Sequence, residues 1–168
     1  MGKVVLDMAM SLNGFIAGPN DEDSGLHDYF FSPTGETAKV IEESIHATGA
    51  LVMGRRTHDM GATQGGFVDS PHSVPTIVLS HDVPSQVAEG TDAFIFVTNG
   101  IESALARARA YPGDKDVVIG DSADTAQQFL RAGLIDELHV FLVPVLFGQG
   151  IRLFEQSALS PWDWKALG

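Results

Sequence analysis

Short apolar runs separated by amphipathic stretches are the feature that most constrains the fold of this chain. Most of these runs are too short for helices and are rich in valine, isoleucine and phenylalanine: Val4–Met10 (interrupted by Asp7), Ala50–Met53, Thr76–Leu79, Ala93–Val97, Val117–Ile119 and Leu138–Phe147. Continuous apolar runs of this length are typical of strands buried on both faces, as in a parallel sheet. The sequence therefore predicts a sheet whose strands are mostly parallel.

Helical patterns fill the gaps between these runs. They cover residues 36–48, 100–110 and 122–132, with a fourth, weaker pattern near 26–31. Asn99 and Glu102 resemble a capping box, Ser122 or Asp121 can cap the third helix, and Gly133 stands where a glycine commonly ends one. Repeated strand–helix–strand order predicts an α/β domain with a central, mostly parallel sheet flanked by helices.

Length, charge and cysteine content restrict the function classes. The 168 residues favour one domain, spanning 1–168. The net charge of −12 argues against nucleic acid and anionic membranes as partners, because an acidic surface repels both. The absence of cysteine excludes disulfides and thiol catalysis. With no targeting segment and no apolar stretch long enough to span a bilayer, we expect a soluble, cytoplasmic protein.

The common nucleotide and metal motifs are missing. There is no P-loop, and Gly148 and Gly150 lack the third glycine of a Rossmann fingerprint. The acidic stretch 20–23 lacks the downstream glutamate of a calcium loop, and the six histidines show no metal-ligand spacing. We therefore predict no metal site.

A serine hydrolase is the outsider among the function classes. Gly120 to Asp124 follows a strand and opens a helix, as the nucleophile elbow of a hydrolase does around its serine, here Ser122. The tight elbow needs a small residue where Asp124 stands. The later acid–base pair, Asp136 and His139, is crowded into the start of one strand. These departures disfavour hydrolysis through Ser122.

A stretch between a strand end and a helix start is the best candidate for phosphate binding. It consists of Gly54, Arg55, Arg56 and Thr57, and it contains the only adjacent pair of basic residues in the chain. Backbone N–H groups at a helix start can cradle a pyrophosphate, and an arginine fork matches a phosphate with two hydrogen bonds. The alternative is a strand-to-helix turn with two solvated arginines.

Several segments occur together in an order and spacing that resemble a known family. They are Ser11–Ala17, Gly54–Thr57, Val78–His81, Val117–Gly120, Ala132–Glu137 and Pro144–Gly150. Over about residues 3–155, this set resembles the dihydrofolate reductase-like family, in the branch that contains the reductase domain of the riboflavin-biosynthesis deaminase-reductase. The resemblance implies a dihydrofolate reductase-like fold, NADPH as cofactor and, as is frequent in the branch, a homodimer.

The resemblance also assigns cofactor contacts. It implies that Ser80 and His81 lie against the adenosine ribose and its 2′-phosphate, with a helix cap and a surface histidine as the alternative. It implies that Ala9 and Ile16 contact the nicotinamide ring, although both could equally be core residues. Asn13 stands in the segment over the nicotinamide where the family commonly has aspartate.

The segment after the fifth strand departs from the family pattern. Gly120 precedes a helix start and suits a pyrophosphate, and Ser122 lies within the same turn. The family usually has a second glycine where this chain has Asp121. An aspartate there would repel phosphate, unless it caps the helix and leaves its own N–H group available.

The substrate side is poorly defined by the sequence: Gly148–Gly150 and Arg152 either border the pocket or form a hairpin turn. Dihydrofolate reductases bind the pterin ring with an acidic residue in the helix after the first loop, and the resemblance places Asp28 in that role. An exposed aspartate at a helix start is the alternative. We expect a reductase acting on a small planar heterocycle such as a pterin or aminopyrimidine. The alternative is a non-catalytic nucleotide-binding protein of the same fold, which the departures at Asn13 and Asp121 favour slightly.

Overall fold

A computed structural model describes residues 1–63, 67–68, 70, 72–87, 94–111, 113–120 and 122–154. Its strands are β1 (Val4–Ser11), β2 (Phe15–Ala17), β3 (Thr48–Gly54), β4 (Thr76–Leu79), β5 (Phe94–Val97), β6 (Asp116–Ile119), β7 (Glu137–Val143) and β8 (Ile151–Arg152). Its α-helices are α1 (Asp28–Phe31), α2 (Gly35–Ala47), α3 (Arg55–Thr63), α4 (Ile101–Arg109) and α5 (Ala123–Arg131). No helix in these described ranges is long and apolar enough to cross a membrane.

Six strands form one sheet in the order β5-β4-β3-β6-β1-β7, and every pairing between neighbours is parallel. The predicted α/β fold with a central parallel sheet is confirmed. Parallel neighbours need crossover connections. Helices lie in four of them: α2 before β3, α3 before β4, α4 before β6 and α5 before β7. The short strands β2 and β8 pair antiparallel in a separate ribbon.

The two faces of the sheet have different roles. Side chains alternate between faces along a strand. On one face, Leu6, Val52 and Ile119 form a lateral row and join the main core with residues of α4 and α5, including Phe129. The opposite face carries Asp7, whose carboxylate is bonded to Ser44 of α2. This second face is the floor of the cleft described below.

Helix α5 begins and ends as its sequence predicts. The Ser122 hydroxyl accepts a hydrogen bond from the Thr125 N–H at 3.4 Å and so caps the helix. Gly133 adopts a positive φ of 64°, and the N–H groups of Gly133 and Leu134 donate to the carbonyls of Leu130 and Phe129. This is the glycine-dependent helix end in which two otherwise orphaned carbonyls gain partners.

Two local predictions are wrong. Within the apolar run Leu138–Phe147, the sequence predicts a strand over Leu138–Leu146, but β7 ends at Val143. Its partner β1 ends opposite at Ser11, and Pro144 has no N–H group with which to continue the ladder. Asn99 does not cap α4, because the N-cap residue is Gly100, with a φ of 100° and no side-chain capping bond.

Candidate functional site

A deep cleft lies at the carboxyl ends of the parallel strands, with a volume of about 1480 Å³. Its lining includes strand residues of β1, β3, β4 and β6 together with the starts of α3 and α5. In open α/β sheets ligands commonly bind in such a crevice, because loops and helix starts converge there. The cleft is therefore the candidate site.

The close approach of two helix starts depends on Gly54. Strand β3 ends at Gly54, and α3 begins at the next residue. A Cβ atom added to Gly54 would lie 2.5 Å from Ser122 Oγ and 3.0 Å from Thr125 Oγ1, so a larger residue would push α5 away. The first N–H groups of a helix have no intrahelical partner and carry partial positive charge. Two such ends, those of α3 and α5, therefore face the same part of the cleft.

Arg55 lines the cleft and bridges α3 to the end of β4. Its Nε donates to both carboxylate oxygens of Asp59, at 2.7 and 2.8 Å. One terminal nitrogen donates to Asp82 Oδ1 at 2.9 Å and to Ser80 Oγ at 3.2 Å. The guanidinium is thereby held over the end of β4, where the sequence analysis places the adenosine ribose.

The acidic partners of Arg55 set the charge of this corner. The hydrogen bond with Asp59 raises the pKa of Arg55 further above its ordinary value. Burial opposes ionisation of Asp59, but hydrogen bonds from His58 and Arg55 outweigh it and lower the pKa of Asp59. His58 is fully buried with its ring edge-on to Phe94 and Phe96. The network is anchored in the core, and its carboxylates offset part of the positive charge of Arg55.

The other residues predicted for the phosphate end also line the cleft. They are Arg56, Thr57, Ser80, His81, Gly120 and Ser122. Arg56 and His81 are exposed, whereas Ser80 is buried and its hydroxyl donates to the Asp82 carbonyl at 2.5 Å. Asp121 lies outside the described residues, so its predicted role stays a prediction.

Gly120 leaves open space at the floor of the cleft. Among the described residues beyond its chain neighbours, a Cβ atom added there would contact only the carbonyl oxygen of Asp7, at 3.6 Å. The Ser122 hydroxyl caps α5, and no histidine among the described residues is hydrogen-bonded to this hydroxyl. The described part of the chain thus offers Ser122 no base, which further disfavours the hydrolase hypothesis.

Ala9 and Ile16, predicted to contact the nicotinamide, both line the cleft. Ala9 is buried in β1 and Ile16 is half-buried in β2. The turn between these strands is held by Ser11, whose buried hydroxyl accepts from the Phe15 N–H at 2.9 Å. Asn13 ties the same turn to Phe147, because its amide donates to the Phe147 carbonyl and accepts from the Phe147 N–H.

Asp28, predicted as the substrate-binding acid, is exposed at the first position of α1 and does not line the cleft. Asp7 lines it instead, from the middle of β1, with a side chain that is 17% exposed. The sequence analysis did not consider Asp7 as a site residue. The available signal was an acid that interrupts an otherwise apolar strand, since such a group is rarely buried without a reason.

Comparisons with known proteins find one matching family and two curated relatives. The sequence model of the family described as the RibD C-terminal domain matches residues 2–167. Two Bacillus subtilis (strain 168) proteins, YyaP and YwjB, both uncharacterised, are each 24% identical to this chain. The alignment with YyaP covers 90% of this chain and 80% of YyaP, and that with YwjB covers 92% and 83%.

Two solved structures have folds similar to that of this chain. A protein from Shewanella sp. PV-4, provisionally assigned to riboflavin biosynthesis, is 30% identical with a TM-score of 0.73, over 94% of this chain and 86% of that one. The Thermotoga maritima diaminohydroxyphosphoribosylaminopyrimidine deaminase/5-amino-6-(5-phosphoribosylamino)uracil reductase has a TM-score of 0.65 at 14% identity. It aligns with 95% of this chain and 51% of its own. At that identity the likeness supports the fold alone.

Proposed function

The chain belongs to the family of RibD C-terminal domains, and from this premise we propose that it is a reductase that binds NADPH in the cleft and reduces a small planar heterocycle. The observation that carries the proposal is the convergence of two helix starts beside Arg55 at the carboxyl edge of the sheet. That arrangement suits the phosphate groups of a dinucleotide.

The residues present fit such a cofactor. Gly54 allows the start of α5 to approach α3, and a Cβ atom at that position would occupy the space that the Ser122 hydroxyl needs. Gly120 keeps the adjacent floor open. The volume of about 1480 Å³ exceeds that of a typical small-molecule pocket, about 300–1,000 Å³, and so leaves room for a dinucleotide and a second ligand.

In the proposed reaction NADPH supplies the hydride, and the protein binds and positions both reactants. Arg55 and Ser80 would hold the adenosine end, and the starts of α3 and α5 would hold the pyrophosphate. Ala9 and Ile16 would bracket the nicotinamide between β1 and β2. The bond between Ser11 and Phe15 and the two bonds between Asn13 and Phe147 fix the turn over this position. A fixed turn keeps water from the reacting atoms and holds the rings in register.

NADPH is expected to raise the melting temperature of the protein. A ligand at 100 times its dissociation constant stabilises the folded state by about 2.7 kcal/mol. For a chain of 168 residues this corresponds to roughly 5–11 °C. The measurement is a thermal melt with and without the cofactor, and an unchanged melting temperature at millimolar NADPH contradicts the proposal. NADPH oxidation with candidate heterocycles then separates a reductase from a non-catalytic nucleotide-binding protein, which would be stabilised without turnover.

We also propose that the protein is a homodimer. Strand β7 is the last strand of the sheet as described and pairs only with β1. Near it, Leu142 and Leu146 are 60% and 74% exposed, and exposed apolar side chains beside a sheet edge favour association. Sedimentation is expected to give twice the chain mass of 17.9 kDa. A monomer mass at micromolar concentration would contradict this assembly.

A further inference from the structure

We propose that Asp7 recognises the substrate and that this end of the cleft takes a planar, neutral or cationic heterocycle with adjacent N–H donors, while rejecting anionic and phosphorylated compounds. The inference rests on the proposed function, since it takes the hydride acceptor to lie beside Ala9. It adds the charge and hydrogen-bonding character of that acceptor.

The position of Asp7 in β1 places it beside the reacting atoms. Asp7 and Ala9 lie on the same face of the strand, because side chains alternate, and two residues along a strand span about 7 Å. That distance is close to the width of a ring stacked on the nicotinamide. A heterocycle positioned by Ala9 would therefore reach the Asp7 carboxylate with its edge.

Asp7 differs in charge from the other sheet residues that line the floor of the cleft. Several residues of the six-stranded sheet line it: Asp7, Met8, Ala9, Leu51, Met53, Gly54, Leu79, Val118 and Phe141. Among these described residues Asp7 alone carries a charge. A carboxylate on an apolar floor favours a ligand edge that donates hydrogen bonds, because such bonds to a charged acceptor are stronger than neutral ones.

The charges around Asp7 make this end of the cleft unfavourable for anions. Its Oδ2 accepts from Ser44 Oγ at 3.3 Å and lies 3.9 Å from His139 Nδ1. His139 also contacts a second carboxylate, Glu137, at 3.4 Å. The side chain of Lys3 is bonded to that same Glu137. Lys3 therefore offsets the charge of Glu137, and a phosphate or carboxylate ligand at this position would face the like charge of Asp7 itself.

Aromatic side chains provide flat walls. Tyr29 of α1 stacks on Phe141 of β7, with ring centres 4.7 Å apart. Phe30 stacks on His72 with ring centres 6.1 Å apart, and all four side chains line the cleft. A flat ring suits these walls, since aromatic rings gain most from offset or edge-to-face contacts.

Three probes of the same size and ring separate charge from shape: benzamidine (cationic), benzamide (neutral) and benzoate (anionic). The affinities are measured by calorimetric titration of the full chain, with and without saturating NADPH. We expect benzamidine to bind most tightly, benzamide more weakly and benzoate most weakly. Replacing Asp7 by asparagine should lower the affinity for benzamidine by at least about 10-fold, to the same level as the affinity for benzamide. Ser44→Ala, which removes the hydroxyl that orients Asp7, should give a smaller loss in the same direction.

Glu43→Gln is the matched control, since it removes the same charge from an exposed position on α2 next to Ser44 and should leave the order unchanged. NADPH affinity of each variant, measured in the same samples, shows that the site is folded. The inference is overturned if benzoate binds as tightly as benzamidine. It is also overturned if Asp7→Asn still prefers benzamidine to benzamide. If only Asp28→Asn lowers the affinity for benzamidine, the acid that recognises the substrate is Asp28 of α1. Failure of NADPH to bind refutes the proposed function, whereas the probe order without NADPH tests Asp7 separately.

Discussion

Replacing Arg55 by alanine is expected to weaken NADPH binding by about 10- to 150-fold and to leave NADH binding almost unchanged. The two cofactors differ only in the 2′-phosphate, so a group that contacts this phosphate affects one cofactor and not the other. Arg55 is held over the end of β4 by Asp59, Asp82 and Ser80, so little side-chain entropy is lost when a phosphate arrives. Titration of both cofactors at fixed salt measures the effect, since exposed charge contacts are screened.

Two variants control for the assignment of Arg55. Arg56→Ala should weaken both cofactors by a similar factor if Arg56 meets the shared pyrophosphate. Asp82→Asn should strengthen NADPH binding by up to about fivefold, because its exposed carboxylate competes for Arg55 and repels phosphate. Equal loss of NADPH and NADH in Arg55→Ala would show that Arg55 does not select the cofactor. If neither arginine variant loses affinity, neither arginine contacts the cofactor.

Replacing Phe129 by alanine is expected to lower the free energy of unfolding by about 3–5 kcal/mol. Phe129 of α5 is fully buried in the core on the face of the sheet that carries Leu6 and Ile119. Its removal loses the transfer free energy of the ring and leaves a cavity that the strands can close only in part. At about 2–4 °C for each kcal/mol, the melting temperature should fall by roughly 6–20 °C.

Urea denaturation of the wild type and of Phe129→Ala provides the measurement. The two proteins are fitted with the same dependence of the free energy of unfolding on urea concentration. Gln128→Ala, at a half-buried position of the same helix, should change the free energy of unfolding by no more than about 0.5 kcal/mol. A loss of less than about 1.5 kcal/mol in Phe129→Ala, half of the expected minimum, would mean that α5 contributes little to the core.

The strands of the main sheet could be predicted because both of their faces are covered or line the cleft, so that their sequences are mostly apolar. Strands β2 and β8 could not be predicted, since three and two residues are too short to show a period. The end of β7 was misplaced because an apolar run does not reveal where the partner strand β1 stops. Register between strands is a tertiary property.

The phosphate end of the candidate site was accessible from the sequence because parallel strands bring their carboxyl ends to one edge. The residues after β3, β4 and β6 therefore had to meet there. The substrate end was not accessible. Asp28 lies on a helix of four residues, too short for its pattern to show which side faces the sheet. Asp7 could be placed in the cleft only from the structure, because the sequence does not show which part of the sheet the helices cover.

The division of the sheet into a packed face and a cleft face has an evolutionary consequence. Leu6, Val52 and Ile119 hold the fold together from one side, while Asp7 and Ala9, which point to the opposite face of β1 from Leu6, line the cleft. If Asp7 and Ala9 contact the ligands as proposed, mutations at these two positions change what the protein recognises without creating cavities in the core. A lineage built on this sheet can therefore exchange one substrate for another by drift at alternate positions, at little cost in foldability.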